Sequence, residues 1–138
     1  MSMTNGVWTM NSKLLQAGAL IAGLALWAGP SVATPLNGEE IKDAISGKRV
    51  FLKVPFGGEF PLRYDPSGVV RGDGTAFGVG RFFSPKDEGK WWVRNGKLCQ
   101  QWQEWYDGKT ACFIISNYDG TKFKWLRDDG RKGKGRIE

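Results

Sequence analysis

Apolar residues in this chain fall into three successive patterns. Leu14 to Trp27 is an apolar run without charge, behind a polar start whose only cation is Lys13. Leu36 to Ser46 has the spacing of a helix, with Ile41, Ala44 and Ile45 on one stripe. From Lys48 onward short apolar and alternating runs are parted by glycine, proline, asparagine and aspartate, which is the pattern of strands and turns.

The first run ends in Pro30-Ser31-Val32-Ala33, small residues of the kind a signal peptidase reads, and no cysteine follows to mark a lipoprotein. At 14 residues it is shorter than the roughly 20 that span a bilayer. Residues 1–33 are therefore expected to be an export signal and residues 34–138 a single β-rich domain, delivered to the periplasm or secreted.

In the second pattern Asn37 is a good N-cap, and Glu40 three residues on completes the spacing of a capping box. Leu36 and Ile41 stand where a hydrophobic staple would hold the entry, and Gly47 supplies the stop. Beyond it, strands are expected over Arg49 to Val54, Glu59 to Tyr64 and Val69 to Gly72, with Pro61 making the second an edge or bulged strand. Thr75 to Phe83 mixes glycine with phenylalanine, which predicts strong bending. Ser84 to Gly89 reads as a polar loop. Further strands follow at Cys112 to Asn117, at Thr121 to Leu126 and, weakly, at Lys132 to Ile137. Seven to eight short strands behind one N-terminal helix predict a mainly β fold, a small antiparallel β-barrel or sandwich.

Asn95-Gly96 permits a register to be written down. A two-residue type I′ turn there opposes Arg94 to Lys97, Val93 to Leu98, Trp92 to Cys99 and Trp91 to Gln100. Trp91, Val93, Leu98 and Trp102 then share the core face, while Lys90, Trp92, Arg94, Lys97, Cys99 and Gln101 share the other. Trp92 is expected to cover Cys99 on that side, under the N-terminal helix.

In an oxidising compartment the two cysteines, Cys99 and Cys112, most simply pair with each other; the alternative is two buried thiols. The second turn signal, Asp107-Gly108, conflicts with pairing. An ideal two-residue hairpin would oppose Cys112 to Gln103 and leave Cys99 four residues farther along, roughly 13 Å away at strand rise. A disulfide needs Cα atoms within about 7 Å. Either the thiols are free or 100–111 is not a regular hairpin; the second is expected, as an aromatic ribbon projecting from the sheet and clamped at its base.

Composition sharpens compartment and partner. The formal charge of +6 becomes +5 without Lys13, and Lys122 to Glu138 holds +4 of it, seven cations against three acids. So local an excess suits anionic envelope polymers, anionic headgroups or an acidic protein. Equally, it suits an exposed edge strand guarded by cations.

The helix at the mature start, with D-P-S-G-V-V-R-G at 65–72, G-K-W-W-V-R-N-G-K-L-C at 89–99, C-F at 112–113 and D-G-T at 119–121, resembles a group of small exported alphaproteobacterial proteins classed as a domain of unknown function. The resemblance implies a compact β-structure with a paired cysteine. It assigns no catalytic or binding residue.

Histidine is absent, which removes Ser-His-Asp and Cys-His catalysis and the usual zinc and copper sites. No metal or other cofactor is expected. Glu104 and Asp107 have the composition of a glycosidase pair but also of ordinary turn chemistry, and Asp128-Asp129-Gly130 reads as a solvated turn before a calcium site. Trp102, Trp105 and Tyr106, interleaved with Gln101 and Gln103, join flat apolar faces to amide groups. That suits a glycan or a protein groove, unless the rings pack back on the sheet. The expected function is an exported, non-catalytic binding module that recognises an envelope protein or glycan through 100–111, and not nucleic acid. A lipocalin-like small-ligand carrier and a carboxylate-only hydrolase are the alternatives.

Overall fold

The structure, a computed structural model, describes residues 33–55, 57–75 and 85–138, with Gly23 and Gly29. The chain divides into two units, residues 1–31 and residues 32–138, and the helix and strands described here belong to the second. The expected export signal lies outside the described residues but for Gly23, Gly29 and Ala33, and the glycine-phenylalanine stretch lies outside them but for Thr75.

One helix, α1 (Gly38–Ile45), precedes eight strands: β1 (Arg49–Lys53), β2 (Glu59–Tyr64), β3 (Val69–Asp73), β4 (Lys86–Arg94), β5 (Lys97–Trp102), β6 (Thr110–Ser116), β7 (Lys122–Arg127) and β8 (Lys132–Ile137). Each strand pairs antiparallel with the next, and β8 returns to pair with β1, so the sheet closes into a barrel rather than stacking as a sandwich. The mainly β fold with one helix is as expected.

The capping box of α1 forms in full: Asn37 Oδ1 accepts from the Glu40 N–H at 3.0 Å, and Glu40 Oε2 accepts from the Asn37 N–H at 2.8 Å. Ile41, Ala44 and Ile45 are buried with Leu98, Ile115 and Ile137 from inside the barrel. The helix therefore covers the barrel's interior on the core face, beside Val93, and does not lie over Trp92 as expected. Just before it, the Leu36 N–H donates to the Ile115 carbonyl at 2.8 Å. That carbonyl lies past the last β5–β6 pair on its side, Leu98 with Phe113, so the entry segment satisfies what β5 leaves open.

Asn95 and Gly96 both have positive φ, 52° and 68°, as a type I′ turn requires. The pairs from Arg94–Lys97 to Trp91–Gln100 stand in the expected register, which runs on to Gly89 opposite Trp102. Trp91, Leu98 and Trp102 are buried, confirming the core face.

The expected polar loop over Ser84 to Gly89 is corrected where it is described: β4 begins at Lys86, and the polar residues Lys86 and Glu88 face outward from it, while Ser84 lies outside the described residues. The terminal strand forms at the expected bounds as β8, where the inward rings of Phe123 and Trp125 lie over Gly135 and Gly133, the residues paired with them. A Cβ at either glycine would sit 2.4 or 2.5 Å from a ring atom, so the glycines make the room that the aromatics fill.

Pro61 is accommodated without an edge. The Tyr64 N–H donates to Lys48 in the β1 direction, so by alternation the Pro61 nitrogen faces β3, one residue past the last β2–β3 pair, Leu62 with Gly72. The wall carries Arg49, Arg63, Arg71, Glu88, Lys90, Lys122 and Lys124 outward, while the interior is apolar but for Gln100 and the Tyr64 hydroxyl. That is the reverse of a membrane-spanning barrel. Among the described residues no helix is long and apolar enough to cross a membrane.

Candidate functional site

The disulfide and the residues expected to bind lie toward one end of the barrel, opposite α1, where the β5–β6 connection runs. Cys99 and Cys112 are directly opposed, Cα atoms 4.0 Å apart, and form a disulfide. The Cys112 carbonyl accepts from the Asp128 N–H on the β7 side, so toward β5 this is a pair without ladder hydrogen bonds, the kind that brings side chains closest. The conflict over Asp107-Gly108 is thereby settled: the pair exists, and the connection is not a two-residue hairpin. Two more pairs follow, Gln100 with Ala111 and Gln101 with Thr110, before the chain leaves the ladder.

The connection folds inward instead of projecting. Trp102 is 4% exposed, and its ring centroid lies 4.7 Å from that of Trp105. Trp105 meets Phe60 edge-on at 5.4 Å and lies against the bare backbone of Gly72, where a Cβ would be 2.4 Å from its ring. The two indoles so close the barrel end, because two large apolar rings beside a glycine gap gain more by burial than by standing in water. Gln101 donates its amide Nε2 to the Gly108 carbonyl at 2.9 Å and acts as a brace for the loop. Of the five residues expected to bind, Gln103 and Tyr106 are exposed in this connection, Gln101 is exposed but engaged, and Trp102 and Trp105 belong to the packing.

What holds the connection was not legible as a site. Asp87 Oδ2 accepts from the Glu104 N–H at 2.9 Å and the Trp105 N–H at 2.8 Å, while its Oδ1 accepts from the Glu88 N–H at 2.8 Å. One carboxylate thus ties β4 to the loop. The signal lay in the hairpin register: carried back from Trp91 through Gly89, it puts Asp87 on the core face, where an acid needs partners.

With both flanks held, the loop tip takes an uncommon course. Tyr106, Asp107 and Gly108 have φ of 56°, 55° and 64° in succession. Left-handed backbone costs roughly 1–2 kcal/mol for each residue with a Cβ. Tyr106, 52% exposed, is laid over the Arg127 guanidinium, 4.6 Å from its ring centre. The Arg127 side chain is 14% exposed and has Asp128 and Asp129 within 3.9 and 3.5 Å. An aromatic face backed by a cation is thus presented to solvent at the barrel mouth.

Beside the loop, an open groove of about 510 Å3 runs over the outer wall of β2–β4, with Arg63, Arg71, Lys86, Glu88, Gln103 and Glu104 on its sides. Arg71 pairs with Glu88 at 2.9 Å and Lys86 with Asp73 at 3.5 Å. The barrel interior, in contrast, keeps a cavity of about 30 Å3, the scale of a water molecule. Among the described residues no three His, Cys, Asp or Glu side chains gather as metal ligands.

Carboxyls whose pKa moves all move down. Glu59 is held low by its hydrogen bond from Arg136, Asp65 by Ser67, Asp73 by Thr75, and Asp119 by the backbone N–H groups of Lys122 and Thr121. Each is thereby fixed as an anion in structural service. Set against protein-family models, curated proteins and solved structures, the chain matches none of the three.

Proposed function

We propose that this chain is an exported, non-catalytic binding module that recognises an envelope protein or glycan through loop 103–109, with Tyr106 as its anchor. The observation that carries the reading is Tyr106 itself, an exposed ring held in left-handed backbone over Arg127. Backbone of this kind persists where the surroundings over-determine it, and such places gather at binding and catalytic sites. Here Asp87, Gln101 and the disulfide supply that constraint. A rigid aromatic with few torsions is also an economical contact for a partner.

Export is supported by the N-terminal pattern together with the disulfide, which persists in oxidising compartments. A carrier needs a pocket of several hundred Å3, and the interior cavity of about 30 Å3 lends that alternative no support.

The test is capture by the full chain, disulfide intact, from periplasmic extract and on an arrayed set of bacterial glycans. Tyr106→Ala is expected to lose the retained partner at unchanged melting temperature. Undiminished retention by that variant overturns the reading.

A further inference from the structure

The basic excess of the C-terminal segment is sorted by residue type. Its three acids are all met by arginines: Asp128 and Asp129 by Arg127, Asp129 also by Arg131, and Glu138 by Arg136 and Arg49. Arg136 is further held by Glu59 at 2.7 Å. Lys124, Lys132 and Lys134 have no acid within ion-pair distance among the described residues, and Lys122 has Asp119 as a neighbour only at the turn.

These lysines all stand exposed on the outer wall of β7–β8. The register opposes Lys124 directly to Lys134 and Lys122 to Arg136, with Lys132 opposite exposed Leu126. Like charges placed opposite one another destabilise a sheet. Cations are tolerated on an edge strand because they keep other strands away. β8 is bonded to β1 only over residues 135–137, so Lys132 and Lys134 stand on an open side, but Lys124 is bonded on both sides, to Ser116 and to Lys134. Edge guarding therefore leaves Lys124 and its pairing with Lys134 unexplained, and the clustering calls for a further cause.

We propose that the outer face of β7–β8 is a docking strip for a linear acidic polysaccharide. The charges lie on two neighbouring strands about 5 Å apart and recur about every 7 Å along each, so the strip is one polymer chain wide. Lysine supplies mobile point charges that follow a repeating anion, where arginine would impose a fixed fork. No aromatic side chain faces outward from these two strands, since Phe123 and Trp125 turn inward, so the platform that single-stranded nucleic acid needs is missing. A lipid surface would meet a convex wall with a single exposed apolar residue, Leu126. This face is distinct from the Tyr106 loop, and the inference does not rest on that reading.

The experiment is fluorescence anisotropy with the full chain, disulfide intact, against labelled polygalacturonate and labelled heparin, which separate carboxylate from sulfate recognition. Neutral dextran, a single-stranded oligonucleotide and vesicles with anionic lipid are run beside them. Binding to at least one acidic polysaccharide is expected, weakening with salt. K124Q/K134Q is expected to weaken it about tenfold and to lower the salt slope by about two counterions. K42Q/K90Q, which removes the same charge elsewhere, keeps the affinity, and so does Tyr106→Ala. The single variant K134Q gives the intermediate value should the double variant fold poorly. Equal loss in the two lysine pairs, tighter binding of oligonucleotide or vesicles, or no polysaccharide binding at low salt overturns the proposal.

Discussion

The phenol of Tyr64 donates to Oε1 of Gln100 across the barrel interior at 2.7 Å, the one buried side-chain pair of polar groups joining β2 to β5 among the described residues. Burial pushes the Tyr64 hydroxyl well above its ordinary pKa, with the nearby Tyr106 adding to the effect, so it stays a donor at any working pH. Tyr64→Phe leaves the Gln100 carbonyl without this donor and is expected to cost about 1–3 kcal/mol. Adding Gln100→Leu should return much of that loss, because removing both partners leaves nothing unsatisfied. Urea unfolding of the two single variants and the double variant measures the coupling; strictly additive losses would show that the bond contributes nothing.

Cys99 and Cys112 close a loop with a sequence separation of 13, for which chain entropy predicts a contribution of about 3 kcal/mol. C99A/C112A should fold to the same barrel, since the β5–β6 pairs on either side of the bridge remain. Its unfolding midpoint should match that of the reduced natural chain. A variant as stable as the oxidised protein would remove the disulfide from the account of stability.

Asp87→Ala deprives the Glu104 and Trp105 N–H groups of their shared acceptor. Charge-assisted bonds of this type contribute about 1.5–3 kcal/mol each. The expected result is new protease cleavage within 103–109 and red-shifted tryptophan emission as Trp105 leaves Phe60 and Trp102. Unaltered cleavage would mean that Trp105 packing alone holds the loop.

Acid should weaken the fold through carboxyls that the native state holds low: Glu59 through Arg136, Asp65 and Asp73 through the side chains and then the N–H groups of Ser67 and Thr75, and Asp119 through the N–H groups of Lys122 and Thr121. A folded pKa below the unfolded one stabilises above the unfolded value, about 4, and that stabilisation is lost as pH falls through the folded value. Stability is therefore expected to be level from neutral pH to about pH 5 and to decline below it. Asp119→Asn should make the decline shallower in urea titrations across that range. An identical acid slope would take Asp119 out of the linkage.

The sequence made legible what depends on neighbours along the chain. Asn95-Gly96 dictates its own backbone, so the β4–β5 register could be written pair by pair, and Asn37 with Glu40 marked the helix start. The loop at 102–109 depends instead on Asp87 and Phe60, partners remote in sequence, and no local pattern shows which way an indole will turn. Asp107-Gly108 resembled a tight turn because aspartate and glycine tolerate left-handed backbone; the chain uses that tolerance, together with Tyr106, for a longer connection. Lys132 to Ile137 looked weak for a similar reason. Its two glycines are empty only until Trp125 and Phe123 arrive from the strand before.

Closure of the barrel bears on how the protein is made. Val50 pairs with Ile137, so the first strand finds its second neighbour only when the eighth has been synthesised. Until then two ladders stand open, and the nascent chain has no complete intermediate in which to rest. Folding must wait until β8 has left the ribosome, and pairing across so long a stretch of chain is slow.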